Sequence, residues 1–191
     1  MVRKRTRVLM TALAAGALAL AGQAPAHAAD DSGTAEDNWS CWIDFATDES
    51  LCVGEGEDLV AAVRDEAGVE LSAPTGTIIG DREFEQPAVS RGSTAMLATV
   101  VGVLYDDINY GGGTLVFTGI PEGCTTGWAY GYTSLSSVGW NDRASSMRGY
   151  QGCRTAVFEN ENYVGSQFGY TPGNYFLGVM NDEASSWRLA P

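Results

Sequence analysis

Residues 103–112 read VLYDDINYGG, and residues 156–165 repeat the pattern as AVFENENYVG. Three positions of the two copies match at a constant offset of 53, namely an aromatic residue (Tyr105, Phe158), a tyrosine (Tyr110, Tyr163) and a glycine (Gly112, Gly165). The two aromatic residues predict a folded hairpin in which the rings pack on each other. The glycine predicts a turn with a positive φ, which a side chain would resist. The second half of the chain therefore contains a duplicated β unit.

A second element follows in each copy. It reads WNDRASSMR over residues 140–148 and MNDEASSWR over residues 180–188, an offset of 40, so the first copy has 13 extra residues between its two elements. In both copies short apolar strands alternate with Gly- and Asn-rich turns, which predicts four antiparallel strands per unit. One such unit cannot cover its own apolar face, whereas two units packed together can.

These two signatures resemble those of the βγ-crystallin family, and the resemblance extends over residues 99–191. It implies a mainly β chain whose C-terminal half is a double Greek-key sandwich, with units at about residues 101–150 and 154–191. A small acidic α+β region, residues 39–98, precedes the sandwich. Most of the charge lies in the first half, because residues 30–98 hold 16 acids and 3 arginines.

In microbial members of this family, an (Asn/Asp)-(Asn/Asp)-x-x-(Ser/Thr)-Ser element binds calcium, a hard cation that prefers oxygen ligands. The resemblance implies two sites, each shared between the two units. Side-chain oxygens would come from Asn141, Asp142, Ser145, Asn181, Asp182 and Ser185. Backbone carbonyls would come from Arg143, Glu183, Asp106 and Glu159. The second serine of each element is expected to order the loop.

A reading without metal remains open, in which Asn-Asp makes a turn and Ser-Ser caps a short helical segment. Two copies at matched positions favour calcium over this alternative. Each element has one certain carboxylate, so we expect weak binding, on the order of 10⁻⁵ to 10⁻³ M. The charge of Arg143 should weaken the first site unless its side chain turns outward, and Glu183 should have the opposite effect at the second.

The first 28 residues have the pattern of a secretory signal. A basic start at residues 3–7 precedes an apolar run at 8–21 and the triplet Ala26-His27-Ala28, which predicts cleavage after Ala28. The apolar run is shorter than the roughly 20 residues that a membrane span needs. We therefore expect a secreted, extracellular protein with no membrane attachment after cleavage.

Removal of this segment leaves 163 residues with no lysine, no histidine and a net charge of −17. This composition excludes histidine triads, imidazole-ligated metal centres and lysine Schiff bases. It also argues against nucleic acid as a partner, because phosphate binding requires clustered Lys and Arg. No pair of acids has a recognisable catalytic setting, so we expect no enzymatic activity. We also expect a monomer.

Export makes the four cysteines candidates for disulfides. They allow three pairings, and we favour Cys41 with Cys52 and Cys124 with Cys153, since each pair then stays within one region. A metal site made of cysteines is disfavoured because no C-x-x-C pair exists.

The acidic region carries local structural signals without a catalytic pattern. Residues 29–38 are polar and expected to be disordered. Residues 39–53 predict a hairpin, and residues 55–67 predict a short helix that ends at Gly68. We expect this region to pack on the repeated half.

Two functions are compatible with these patterns. The first is a secreted, calcium-binding structural or stress-related protein. The alternative is a secreted proteinaceous inhibitor of metalloproteases, because the sequence is also similar to crystallin-fold inhibitors of that class. An inhibitor needs a rigid exposed loop. Residues 120–137 would provide it, although they also fit a long Greek-key connection.

Overall fold

The computed structural model describes residues 39–86 and 95–191, which form a mainly β protein. The predicted signal (1–28) and the predicted disordered segment (29–38) lie outside the described residues. The strands in the described ranges are, in chain order, β1 (Ser40–Asp44), β2 (Ser50–Val53), β3 (Val69–Ser72), β4 (Ile78–Ile79), β5 (Arg82–Glu83), β6 (Met96–Tyr105), β7 (Thr114–Gly119), β8 (Tyr130–Tyr132), β9 (Ser146–Gly149), β10 (Arg154–Asn160), β11 (Val164–Thr171), β12 (Gly173–Asn174) and β13 (Ser186–Ala190).

Helical structure is limited to short segments. The helix α1 (Leu59–Ala62) continues into a π-helical turn, Val63–Ala67. The 3₁₀ segments of the described chain are Ile108–Tyr110, Leu135–Val138, Glu161–Tyr163 and Gly178–Met180. No helix in the described ranges is long and apolar enough to cross a membrane.

Two Greek-key units, β6–β9 and β10–β13, form a sandwich of two sheets. The first sheet contains the order β12-β9-β6-β7, and the second has the order β11-β10-β13-β8. Each unit therefore places its third strand in the sheet of the other unit. This strand order confirms the double Greek-key architecture that the sequence predicts.

The repeated hairpins have the same geometry in both units. The ring centroids of Tyr105 and Tyr110 lie 5.3 Å apart, and those of Phe158 and Tyr163 lie 5.7 Å apart, both edge to face. The glycine that follows has φ of 72° in the first copy and 83° in the second. The packed aromatic pair and the left-handed glycine are both confirmed.

The main core lies between the two sheets. Trp187 of β13 is fully buried there, and its ring stacks on Phe117 of β7 with centroids 4.0 Å apart. The indole Nε1 donates a hydrogen bond of 2.7 Å to the hydroxyl of Thr155, so its only polar group is satisfied. This packing holds the faces of the two units together.

The acidic region extends the first sheet. β1 pairs in parallel with β7 and antiparallel with β2, and β3 pairs in parallel with the first half of β6. Residues 39–53 thus form the expected hairpin, and that hairpin is continuous with the repeated half. The boundary that the sequence suggests at residue 98 falls within β6.

The same region also covers the outer face of the first sheet with a second apolar cluster. Leu59, Val63 and Leu71 are buried against Val103 and Val116 of the sheet. The burial of these residues stabilises the region on the sheet, since isolated elements of this length are marginal.

The helix is shorter than the sequence predicts. It begins at Leu59, because the Oδ1 atom of Asp58 caps it by accepting the backbone N–H of Ala61 at 3.1 Å. Residues 55–57 precede the helix. Its C-terminal end is as expected, with Gly68 in the left-handed region at φ 68°.

Both disulfides have the favoured pairing. Cys41 of β1 is bonded to Cys52 of β2, and Cys124 of the loop before β8 is bonded to Cys153 just before β10. No described cysteine is free. The first bond closes the N-terminal hairpin, and the second ties the long loop of the first unit to the start of the second.

Candidate metal centre

The two Asn-Asp-x-x-Ser-Ser elements lie against each other at the interface of the two units. The backbone N–H of Asp142 donates to the carbonyl of Ala184 at 3.0 Å, and the N–H of Asp182 donates to the carbonyl of Ala144 at 3.1 Å. Asp142 and Asp182 have φ of 55° and 56°, a region that Asp and Asn tolerate better than most residues. The structure thus joins the predicted elements by a reciprocal pair of backbone hydrogen bonds.

A serine of one element meets the carboxylate of the other. The hydroxyl of Ser145 donates to Oδ1 of Asp182 at 3.0 Å, and Ser145 is 5% exposed. Ligands at about 2.4 Å from a calcium ion are separated from each other by about 3 Å or more. The two oxygens therefore already lie as close together as two ligands of one such ion.

Each element is also adjacent to the hairpin of its own unit. The backbone N–H of Ser145 donates to the carbonyl of Tyr105 at 2.8 Å, and that of Ser185 donates to the carbonyl of Phe158 at 2.9 Å. The residue after the first aromatic is thereby brought next to the serine. This residue is Asp106 in the first unit and Glu159 in the second.

These contacts, combined with the ligands that the sequence analysis expects, define two candidate sites. Site A is defined by the Ser145 hydroxyl, the Asp182 carboxylate and the backbone carbonyls of Asp106 and Glu183. Site B is defined by the repeat equivalents of these groups, the Ser185 hydroxyl, the Asp142 carboxylate and the backbone carbonyls of Glu159 and Arg143.

The asparagines that begin the elements support their neighbours. The amide of Asn141 donates to Oδ2 of Asp142 at 2.6 Å, and that of Asn181 donates to Oδ2 of Asp182 at 2.5 Å. The Oδ1 atom of Asn181 is buried and has no hydrogen-bond partner among the described residues. A buried acceptor without a partner is costly, and a cation is one group that can satisfy it.

Arg143 does not turn outward. Its guanidinium forms a bidentate pair with Asp106, with Nε–Oδ1 at 3.0 Å and Nη2–Oδ2 at 2.7 Å. The two side chains are 18% and 14% exposed. Because this charge lies at Asp106, it stands beside site A. The sequence analysis expects this charge to weaken the first site unless the side chain turns outward, and the side chain instead pairs with Asp106.

Two tryptophans hold this guanidinium, and the sequence analysis missed both. The Cζ atom of Arg143 lies 4.7 Å from the ring centroid of Trp140 and 5.4 Å from that of Trp39. Trp140 directly precedes Asn141 in the sequence, so its position next to the first Asn-Asp-x-x-Ser-Ser element could have indicated a contact with Arg143. Trp39 lies about a hundred residues away in the chain, and no local pattern could have indicated the contact.

Glu159 behaves differently from its counterpart Asp106. Its carboxylate accepts the backbone N–H of Ser166 at 2.9 Å. Hydrogen bonds from the backbone and side chain of Ser166 lower the pKa of Glu159 below its ordinary value. The group is therefore a carboxylate anion at neutral pH.

The second serines order the hairpins, in agreement with their expected role. The hydroxyl of Ser146 donates to the carbonyl of Asp107 at 2.6 Å and accepts the N–H of Tyr110 at 3.1 Å. Ser186 makes the equivalent bonds with Asn160 and Tyr163.

The chemistry of the donor set fits calcium. Hydroxyl, carboxylate and carbonyl oxygens are the ligands of a hard cation, and neither site includes nitrogen or sulfur. In the described part of the chain, no three His, Cys, Asp or Glu side chains converge as in a zinc or carboxylate-rich centre. Hydroxyl and backbone oxygens thus make up most of each site.

Comparisons with known proteins find similarity among solved structures. No protein-family profile and no curated protein matches the chain. A βγ-crystallin domain from Clostridium beijerinckii is 26% identical over 47% of this chain and 97% of its own, with a TM-score of 0.38. A double mutant of that domain is 28% identical over 47% of this chain and 96% of its own, with a TM-score of 0.37. A βγ crystallin from Ciona intestinalis is 26% identical over 45% of this chain and 94% of its own, with a TM-score of 0.35.

Proposed function

We propose that the protein is a secreted, non-catalytic, calcium-binding structural or stress-related protein of βγ-crystallin type, with one calcium ion at each of sites A and B. One observation carries this proposal: the Ser145 hydroxyl and the Asp182 carboxylate, from different repeat units, lie 3.0 Å apart beside the buried, unpaired Oδ1 of Asn181. Bound calcium would link the two units and add to the reciprocal backbone bonds between them.

Calorimetric titration of the chelator-treated protein with calcium tests the proposal. We expect dissociation constants on the order of 10⁻⁵ to 10⁻³ M, because each site has a single carboxylate ligand. Calcium at about a hundredfold excess over Kd should stabilise the fold by about 2.7 kcal/mol for each occupied site, measured as a higher melting temperature. Absence of both heat and a melting shift at about 10 mM calcium would contradict the proposal.

The double variant Asp142→Asn/Asp182→Asn isolates the role of the carboxylates. Asparagine tolerates the left-handed backbone as aspartate does, so the loops should keep their shape while both sites lose their charge. We expect at least a tenfold loss of calcium affinity, about 1.4 kcal/mol. Glu122→Gln, on the exposed loop before β8, is the matched control and should bind as the parent does. A double variant with parental affinity would exclude these sites.

Secretion forms part of the same proposal. It is supported by the pattern of residues 1–28 and by the two disulfides, which persist in oxidising compartments. When the full chain is expressed in a secreting host, we expect to find the protein in the culture medium, with Ala29 as its first residue. A protein that stays with the cells and keeps its first 28 residues would refute the proposal of secretion.

Inhibition of metalloproteases is a second candidate function, favoured by the loop between β7 and β8. The loop contains three backbone turn hydrogen bonds, one of which the Gly127 N–H donates to the Cys124 carbonyl at 3.0 Å, and the Cys124–Cys153 bond anchors it. Trp128, 58% exposed, projects from it. Purified protein should then inhibit a thermolysin-like protease, and Trp128→Ala should weaken inhibition. Unchanged protease activity at a large excess of the protein would rule this function out.

A further inference from the structure

The ion pair of Arg143 and Asp106 has no counterpart in the second unit. The equivalent residues by the repeat are Glu183 and Glu159, two acids that cannot pair. Glu159 instead accepts its hydrogen bond from Ser166 of β11. The first unit therefore has a pair of opposite charges, Arg143 and Asp106, where the second unit has two negative charges, Glu183 and Glu159.

This difference lies next to the sites. Site A has the Asp182 carboxylate as ligand, and the nearby charges of Asp106 and Arg143 cancel each other. Site B has the Asp142 carboxylate as ligand, with Glu159 beside it. In the second element the exposed Glu183 occupies the repeat position that Arg143 occupies in the first. Summed over the equivalent repeat positions, the formal side-chain charge is −1 for site A (Asp182, Asp106, Arg143) and −3 for site B (Asp142, Glu159, Glu183).

The ion pair is firmly held. Its two hydrogen bonds are 3.0 and 2.7 Å long, the carboxylate and guanidinium are largely buried, and two tryptophan rings lie within 5.4 Å of the guanidinium carbon. Bidentate geometry and aromatic stacking are specific to arginine. The positive charge is consequently fixed near site A.

We infer that the two calcium sites are unequal, that site B binds calcium more tightly, and that Arg143 sets the difference by neutralising Asp106 beside site A. The inference rests on the proposed function. Affinity for calcium depends on the number of negative charges around the ion, and charges within a Debye length act on it even when they are not ligands. Arg143 acts through Asp106, so it is a positioning residue for site A.

Single-site proteins measure the inequality directly. Asp142→Asn leaves site A intact and Asp182→Asn leaves site B intact, and each is titrated with calcium alone by calorimetry. We expect the Asp182→Asn protein to bind about tenfold more tightly than the Asp142→Asn protein. Equal affinities, or the reverse order, would overturn the inference while leaving calcium binding itself established. A parent protein that binds no calcium would overturn the proposed function as well.

A charge cycle in the Asp142→Asn background then tests Arg143. Arg143→Gln leaves Asp106 uncompensated and should tighten site A about three- to tenfold, whereas Asp106→Asn leaves Arg143 uncompensated and should weaken it by a similar factor. The combination Arg143→Gln/Asp106→Asn is neutral again and should return close to the starting affinity. A purely structural ion pair would weaken binding in all three variants, which would overturn the assignment.

Two further variants complete the cycle. Arg154→Gln removes an arginine on β10 that hydrogen bonds to the carbonyl of Tyr170, so it changes the net charge equally away from the sites and should alter affinity less than about twofold. Arg143→Lys keeps the charge and should stay closer to the starting affinity than Arg143→Gln does. An equal effect of Arg154→Gln and Arg143→Gln would show that only the global charge matters and would refute the inference.

Discussion

The hydroxyl of Ser186 accepts the backbone N–H of Tyr163 at 3.0 Å and so ties β13 to the hairpin of its own unit. The same hydroxyl donates to the carbonyl of Asn160 at 2.6 Å. Ser186 is fully buried, so its replacement by alanine removes both hydrogen bonds at once.

We expect Ser186→Ala to lower the free energy of unfolding by about 1–3 kcal/mol, since two hydrogen bonds of about 0.5–1.5 kcal/mol each are lost. Denaturant unfolding measures the loss. Ser50→Ala, at the exposed start of β2, is the control and should stay within about 0.5 kcal/mol of the parent. Equal stability of the two variants would contradict the role assigned to Ser186.

Gly102 of β6 lies directly beneath the indole of Trp187. A Cβ atom at this position would lie 2.6 Å from one ring carbon and 2.8 Å from another. Because Trp187 is fully buried and cannot move aside freely, Gly102→Ala should cost about 1–3 kcal/mol by overpacking. Gly111→Ala is the matched control, since its nearest new contact is at 3.6 Å. Thermal unfolding compares the stability of the two variants. If Gly102→Ala is as stable as the parent, the two sheets can move apart at this point.

Leu71 of β3 tests whether the acidic region is an integral layer of the fold. It is 1% exposed in the cluster on the outer face of the first sheet. Leu71→Ala should destabilise the whole protein by about 2–5 kcal/mol in a single transition. Val179→Ala, at an 89% exposed position, should have little effect. Separate unfolding of the acidic region, with the repeated half unaffected, would instead define two independent domains.

Glu161 gives a prediction for acid pH. The hydroxyls of Ser134 and Ser136 both donate to its carboxylate at 2.7 Å and lower its pKa below the ordinary value of 4.5. A depressed folded-state pKa contributes stability that is present above the unfolded-state pKa and is lost as the pH falls through the folded-state value.

The parent should therefore lose stability between about pH 5 and about pH 3 more steeply than Glu161→Gln does. Urea unfolding at a series of pH values measures both slopes. Parallel curves for the parent and Glu161→Gln would mean that these hydrogen bonds do not persist in solution.

The sequence was informative where a pattern occurred twice. The positive φ of Gly112 and Gly165 and the packing of Tyr105 on Tyr110 are local properties of a folded hairpin, so the repeat predicted them. The double Greek-key architecture followed from the family resemblance, and the strand order confirms it.

Partners that are distant in the chain were not predictable. Residues 39–53 predict a hairpin, but nothing in them specifies that its first strand pairs in parallel with β7. The contact of Trp39 with Arg143 likewise depends on where β1 lies in the sheet. Without that contact, the charge of Arg143 could be assigned only to its own loop and not to Asp106.

The exchange of third strands has a consequence for synthesis of the chain. The first sheet receives β12 at residues 173–174, and the second receives β8, whose partner β13 ends at Ala190. A nascent chain cannot complete the first sheet before Asn174 has been synthesised, nor the second sheet before Ala190. Such distant pairings slow folding, because the entropy of closing long loops is lost before the contacts that reward it can form.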